Sequence, residues 1–211
     1  MVVTKIEIQK RNKEKVNIYV DDKYSFSLTL NGFVESGLKE KANISEEEIN
    51  ALKIKDEPKL AVQQALNILS YSMKTESELV RKLTEKGFSE KAVNYAVEKL
   101  KGYKYLDDSV YVSMYITTRA IPNNWGDQKI ISNLLQKGVD INLIKEKINE
   151  LYSYDEKKDS IKKVAEKYYQ KLKDDDEKKK KQKLYRYLAS KGYSYDLISS
   201  TISSLYESDI D

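Results

Sequence analysis

The first thirty residues alternate apolar and polar side chains at every second position. Thr4, Ile6 and Ile8 interleave with Val3, Lys5, Glu7 and Gln9, and Val16, Ile18 and Val20 alternate with Asn17 and Tyr19. A period of two places one set of side chains on a buried face and the other in solvent, which predicts β-strands. Arg11-Asn12-Lys13 and Asp21-Asp22-Lys23 break these runs at hairpin length, and Tyr24-Ser25-Phe26-Ser27-Leu28 continues the alternation. The pattern predicts a three-stranded meander. Three short strands are marginal alone, so the sheet is expected to pack on a helix, with residues 31–38 and 45–54 as candidates. Ser45 and Glu48 have capping-box spacing, each side chain able to satisfy the other residue's free backbone N–H.

From Pro58 onward the period becomes helical, and the chain repeats itself. Three stretches align over 23 positions without a gap, starting at Glu78, Lys129 and Lys183. Their glycines, Gly87, Gly138 and Gly192, are separated by 51 and 54 residues. Apolar residues recur in register: Leu79, Ile130 and Leu184; Leu83, Leu134 and Leu188; Val93, Ile144 and Ile198; Val97, Ile148 and Ile202; Leu100, Leu151 and Leu205. Each unit reads as a helix, a Lys-Gly-apolar corner and a second helix. The glycine ends the first helix in a left-handed conformation, Phe88, Val139 or Tyr193 plugs the corner, and Ser89, Asp140 or Ser194 caps the second helix. A further helix precedes each pair, over residues 60–70, 109–120 and 160–172. The fold expected is mostly α: three tandem three-helix, helix-turn-helix-like repeats in an elongated array, over residues 58–105, 106–153 and 154–211, preceded by a strand-rich module over 1–57. A unit of about 50 residues is marginal alone, so neighbouring units are expected to stabilise one another.

Composition narrows the function. The 211 residues include no Cys and no His, which removes thiol nucleophiles, disulfides, thiolate and imidazole metal ligands and the usual neutral-pH proton shuttle. No G-x-G-x-x-G, G-x-x-x-x-G-K or G-x-S-x-G string occurs. Asp107 and Asp108 are better explained as caps at a helix start than as a catalytic pair. The acidic run Asp174-Asp175-Asp176-Glu177 abuts the lysines at 178–181 and reads as a solvated linker or helix surface, not as a cation site. A non-enzyme that needs no cofactor or metal is expected. No apolar run approaches the roughly 18 residues of a membrane span, and Lys5 interrupts what would be a signal peptide, so a cytoplasmic protein without membrane contact is expected.

The net charge is +4, and only residues 58–105 are locally asymmetric, with 9 basic against 5 acidic side chains. Lys74, Arg81, Lys82 and Lys86 can attract nucleic-acid phosphates weakly and without sequence preference. The corner helices also resemble helix-turn-helix readers, which makes a DNA-binding transcriptional regulator the rival reading. Their outer faces disagree with each other, however. Lys91, Asn94, Tyr95, Glu98 and Lys99 in the first unit become Ser199, Ser200, Ser203 and Ser204 in the third, and base-edge readers present Arg, Asn or Gln. Trp125, the single tryptophan, is expected to pack between repeats, and the tyrosines Tyr103, Tyr105, Tyr111 and Tyr115 to fill space between helices.

Three strings carry a resemblance. Lys74-Thr75-Glu76-Ser77-Glu78-Leu79 runs through Lys82-Leu83 to Lys86-Gly87-Phe88. Leu106-Asp107-Asp108 is followed by Tyr111 and Arg119, and Gly126, Ile130, Leu134, Lys137, Gly138 and Val139 keep a third spacing. In this order and number they resemble the RecX family of regulators of bacterial RecA recombinase, over roughly residues 58–211. Lys74 replaces the family's common arginine, Val112 stands where a small alanine is usual, and the N-terminal strands are absent from shorter members. The resemblance implies a monomeric, non-enzymatic negative regulator in homologous recombination and the SOS response of DNA repair. Such a protein lies in the groove of the RecA–DNA filament across successive protomers and damps ATP turnover, coprotease activity and strand exchange. Lys74, Arg81, Lys82, Lys86 and Arg119 are the expected partner contacts.

Overall fold

In the computed structural model, residues 1–10, 12–173 and 176–208 are described. They form two compact units, residues 1–106 and 107–211. The fold is mostly helical with one small N-terminal sheet, as the periodicity predicts.

The first unit begins with the antiparallel meander β1 (Val3–Ile8), β2 (Lys15–Val20) and β3 (Lys23–Thr29), in the order β1-β2-β3. Val20 pairs with Lys23, leaving Asp21 and Asp22 as a two-residue loop at φ 48° and 65°. Two left-handed residues match the twist of the flanking strands, and a short polar side chain tolerates them. Arg11, in the first expected break, lies outside the described residues. One face of the sheet buries Val3, Val16, Ile18, Val20, Phe26 and Leu28. Helix α1 (Leu30–Ser36) follows, and then α2 (Glu46–Tyr71), entered through the Ser45–Glu48 capping box.

Helix α2 departs from the expectation of two helices. It runs unbroken for 26 residues through Pro58, which forfeits one backbone hydrogen bond and ordinarily kinks or stops a helix. Tertiary contacts outweigh that cost here. Ile49 and Leu52 cover the sheet, while Ala61 and Ala65 bury against α3 (Glu76–Glu85) and α4 (Glu90–Gly102). Two polar ties stand immediately before the proline. The buried Asp56 carboxylate accepts from the Thr29 backbone N–H at 2.5 Å and the Thr29 hydroxyl at 2.6 Å. Glu57 accepts from the Ser89 N–H at 2.8 Å and hydroxyl at 2.6 Å, at the corner between α3 and α4.

The second unit holds α5 (Asp108–Tyr115), α6 (Asp127–Leu135), α7 (Ile141–Leu151), α8 (Tyr154–Tyr169), α9 (Glu177–Ser190) and α10 (Tyr195–Ser208). Asp107 caps α5, accepting from the backbone N–H groups of Ser109 and Val110, and Asp108 sits in its first turn. The helix expected over 109–120 widens into a π turn at Ile116–Ala120. Helix α8 begins six residues before its expected start, because Ser153 and Glu156 form a capping box ahead of a Lys- and Asp-rich turn that shows no apolar period. Asp176 caps α9 and Glu177 pairs with Lys180, whereas Asp174 and Asp175 lie outside the described residues.

The internal repeat is physical. Gly87, Gly138 and Gly192 have φ of 86°, 75° and 90°, the left-handed corner that a β-carbon would oppose. Leu79, Ile130 and Leu184 are fully buried, as are Leu83, Leu134 and Leu188. Ser89, Asp140 and Ser194 each accept a backbone N–H from the helix that follows. Three separate cores result, one per repeat, beside that of the sheet.

Within the second unit the middle and last repeats are joined backbone to backbone. Gly126, the N-cap of α6, has no side chain with which to cap it. The corner of the last repeat approaches instead, so that the Gly126 N–H donates to the Lys191 carbonyl at 2.9 Å and the Gln128 N–H to the Gly192 carbonyl at 3.0 Å. A polar cluster seals the joint. The Tyr193 hydroxyl donates to the Asn124 carbonyl at 3.0 Å, the Ser160 hydroxyl to Asn124 Oδ1 at 2.7 Å, and Lys157 pairs with Asp127 at 2.9 Å. Burial raises the phenols of Tyr152 and Tyr193 above the ordinary tyrosine range.

Candidate partner-binding site

Four of the five expected contact residues lie on one short stretch of the first unit. Lys74 stands between α2 and α3, with its ammonium donating to the Ser72 hydroxyl. Beside it, Thr75 is fully buried and forms a capping box with Glu78. The Thr-x-x-Glu of the resembling motif is thus a helix start rather than a contact. Arg81 and Lys82 project from α3 and Lys86 is its C-cap. Arg81 is exposed and pairs with Glu85 one turn on, at 3.5 Å. Such an exposed pair contributes little to stability and leaves the guanidinium available to a stronger partner. Lys82 and Lys86, spaced i,i+4, share a helix face with no ion-pair partner among the described residues. Their mutual repulsion is a small cost that an anionic partner would remove.

Arg119 belongs to the second unit, on the π turn. Its guanidinium lies 5.9 Å from the ring centre of Tyr115, which in turn packs against Tyr111 at 6.4 Å and Trp125 at 6.2 Å. Lys137 lies over Tyr111 and Lys129 over Trp125, at 5.7 Å and 5.2 Å. Three cations therefore rest on three contiguous rings, each attracted by the negative ring face. Sequence reading did not find this array, because Trp125, Lys129 and Lys137 reach it from the segment that follows the π turn; π turns recur at functional sites. Trp125, expected between repeats, packs instead on the core of the middle repeat itself. Tyr103 and Tyr105 do not fill space between helices: at 59% and 64% exposure they stand in the turn after α4, edge to face at 6.3 Å. The turn is set by Lys104 at φ 58°, which rotates both rings outward.

The serine face of the last repeat, which looked empty of chemistry, borders a cleft of about 400 Å³ between α9 and α10 that also contains Arg186. Among the described residues no group of three or more His, Cys, Asp or Glu can hold a metal ion, and no helix is long and apolar enough to cross a membrane.

Known proteins place the chain. Residues 1–45 match the RecX N-terminal domain, 61–100 the first RecX three-helix domain and 155–202 the third. A regulatory protein RecX of Clostridium perfringens (strain SM101 / Type A) is 38% identical over 205 residues, covering 96% of this chain and 95% of the relative. The chain belongs to the RecX family. A RecX of Bacillus subtilis (strain 168) is 33% identical, covering 99% of this chain and 79% of its own length. The crystal structure of a RecX regulatory protein superposes with a TM-score of 0.73 at 29% identity, over 96% of this chain and 98% of that one. RecX from Lactobacillus salivarius gives 0.66 at 28% identity, over 72% and 97%. The strand module is therefore part of the RecX plan in this chain, and the regulatory role of the family extends to it.

Proposed function

We propose that this RecX-family chain is a non-enzymatic negative regulator of the RecA recombinase, acting in the cytoplasm as a monomer. It binds in the groove of the RecA–DNA filament across protomers and inhibits ATP hydrolysis, coprotease activity and strand exchange. The observation that carries the reading is the match to regulatory RecX proteins along nearly the whole chain, three-helix repeats included. The physics is compatible with it. Linked modules that each bind a successive protomer weakly gain through effective concentration, without any one contact being strong. Lys74, Arg81, Lys82 and Lys86 on the first repeat and Arg119 on the second unit are the proposed contacts, and their positive charge suits an acidic surface or phosphates.

The test is RecA-coated single-stranded DNA pelleted with and without the protein, read together with ATPase rate. Co-sedimentation with a fall in ATP turnover supports the reading, and neither appearing overturns it. Combined charge reversal at Lys82, Lys86 and Arg119 is expected to weaken inhibition at least tenfold; unchanged inhibition would remove those residues from the interface. Tight sequence-dependent duplex binding without RecA, with a steep salt slope, would favour the transcriptional-regulator alternative.

A further inference from the structure

Because the three repeats share one scaffold, comparing equivalent positions isolates what one of them does differently. Two residues before the aligned start, the first two repeats carry acids, each held by a lysine. Glu76 lies 2.6 Å from Lys101, and Asp127 lies 2.9 Å from Lys157. The last repeat has Lys181 there. Three residues into the alignment stand Arg81, Ser132 and Arg186. Arg81 has Glu85 one turn on, whereas the residue one turn after Arg186 is Ser190, so the local carboxylate is gone. On the second corner helix, Asn94 and Glu98 in the first repeat and Lys145 and Asn149 in the second correspond to Ser199 and Ser203 in the last. The last repeat has thus inverted the charge of one wall and shortened the side chains of the other.

The cleft between α9 and α10 is the result. Lys181 and Arg186 line one side, Ser199 and Ser203 the other, and Tyr185 and Ile202 supply apolar surface within its volume of about 400 Å³. No acidic side chain lines it among the described residues. Lys181 is held in place by the Tyr206 ring, whose centre lies 4.1 Å from the ammonium.

We propose that this cleft docks an acidic peptide segment of a protein partner, one that sets an apolar side chain beside a carboxylate. The Arg186 fork matches a carboxylate in bidentate geometry, Lys181 adds a second donor, and the two serine hydroxyls can satisfy peptide backbone groups. Ile202 and Tyr185 receive the apolar side chain. The chemistry favours a peptide over a nucleic acid, because a phosphate backbone needs a row of cations tracking it, and this short cleft offers two cations beside apolar surface. The volume is in the range of about 300–1,000 Å³ typical of ligand-binding clefts. This site goes beyond the RecA reading and does not rest on it.

The test uses the full chain and a fluorescein-labelled twelve-residue peptide of Glu, Leu and Ser, with its Lys-for-Glu counterpart and an oligothymidylate of equal length as the other probes. Anisotropy is expected to show binding of the acidic peptide alone, and amide NMR shifts are expected to cluster on α9 and α10. Arg186→Glu and Lys181→Glu are each expected to weaken binding about tenfold or more, the scale of one charge-assisted hydrogen bond. Ser203→Met, which fills the cleft and leaves its charge intact, is expected to weaken it as well. Lys145→Glu, the same charge change on α7, is the control and is expected to leave binding unchanged. The proposal is overturned if no peptide binds, if Arg186→Glu binds as well as the parent, or if the oligonucleotide takes the Arg186-dependent site. No recombinase is present, so this outcome and that of the pelleting test stand apart.

Discussion

Alanine at Gly126 would place its new β-carbon 2.4 Å from the backbone carbon and oxygen of Gly192 and 2.5 Å from the nitrogen of Tyr193. All three are main-chain atoms, so no rotamer change relieves the overlap. Either the joint stays closed under strain, at about 1–3 kcal/mol for overpacking, or it opens. Opening breaks the bonds from Gly126 and Gln128 to the Lys191 and Gly192 carbonyls, each of net worth about 1 kcal/mol. The cheaper route sets the loss, which is about 1–3 kcal/mol. At about 2–4 °C per kcal/mol, the unfolding midpoint should fall by about 2–12 °C. Trp125 is the only tryptophan and adjoins the site, so its fluorescence during urea or thermal unfolding reports the second unit alone. Gly102→Ala is the control: nothing lies within 4 Å of its added carbon, and it sits at the end of α4. That variant should unfold as the parent does, or slightly later. If Gly126→Ala and Gly102→Ala gave the same Trp125 transition, the backbone joint between the last two repeats would not exist as described.

Further outcomes follow from the same structure. Asp56→Ala strands the Thr29 N–H and hydroxyl in a buried site and should destabilise the first unit by about 3 kcal/mol or more, measured by urea unfolding with far-ultraviolet circular dichroism; a loss under half of that would contradict the tie. Gly87→Ala meets only the left-handed backbone cost of about 1 kcal/mol, whereas Gly192→Ala also drives a carbon to 2.4 Å from the Lys129 nitrogen, so the second must cost clearly more. Stability should be nearly flat from about pH 6 to 8, because the chain lacks histidine. On the acid side, hydrogen bonds from Lys5, Lys59, Ser153 and Lys180 hold the carboxyls of Glu7, Glu35, Glu156 and Glu177 below their ordinary 4.5. A depressed folded value stabilises above the unfolded one, so stability should erode as pH falls below about 4.5. On the alkaline side, Tyr152, Tyr193 and Tyr206 have raised values, and this stability is complete below pH 10 and lost above it. Titration by phenolate absorbance should find tyrosines that ionise only as the fold is lost, and a single smooth transition at the ordinary value would contradict it.

The repeat was legible because its signals are local. A glycine that must be left-handed, a cap two residues on and an apolar period of 3.6 each act within one turn of helix, and Gly87, Gly138 and Gly192 recur with their caps. Strand order was legible for the same reason, since Asp21-Asp22 closes a hairpin from within. What the pattern could not reveal depends on distant partners. Pro58 argues for a break, and only the sheet, α3 and α4 together override it. The π turn at Ile116–Ala120 inserts no unusual residue, so Arg119 reads as one more helical cation until its ring neighbours are seen. The candidate site was legible in its charge, with Lys82 and Lys86 visible as a basic stretch, but not in its geometry. In the last repeat, Ser199 and Ser203 read as absence because single side chains were weighed, whereas the cleft is made by what is missing opposite Arg186.

Helix α2 has one more consequence. At about 1.5 Å per residue its 26 residues form a strut of about 39 Å that belongs to two hydrophobic interiors at once. Severing it anywhere strips Ile49 and Leu52 of their sheet or Ala61 and Ala65 of their helices. Strands and first repeat are therefore expected to melt together, and amide exchange should find β1–β3 and α3–α4 protected to the same depth, as a single cooperative block.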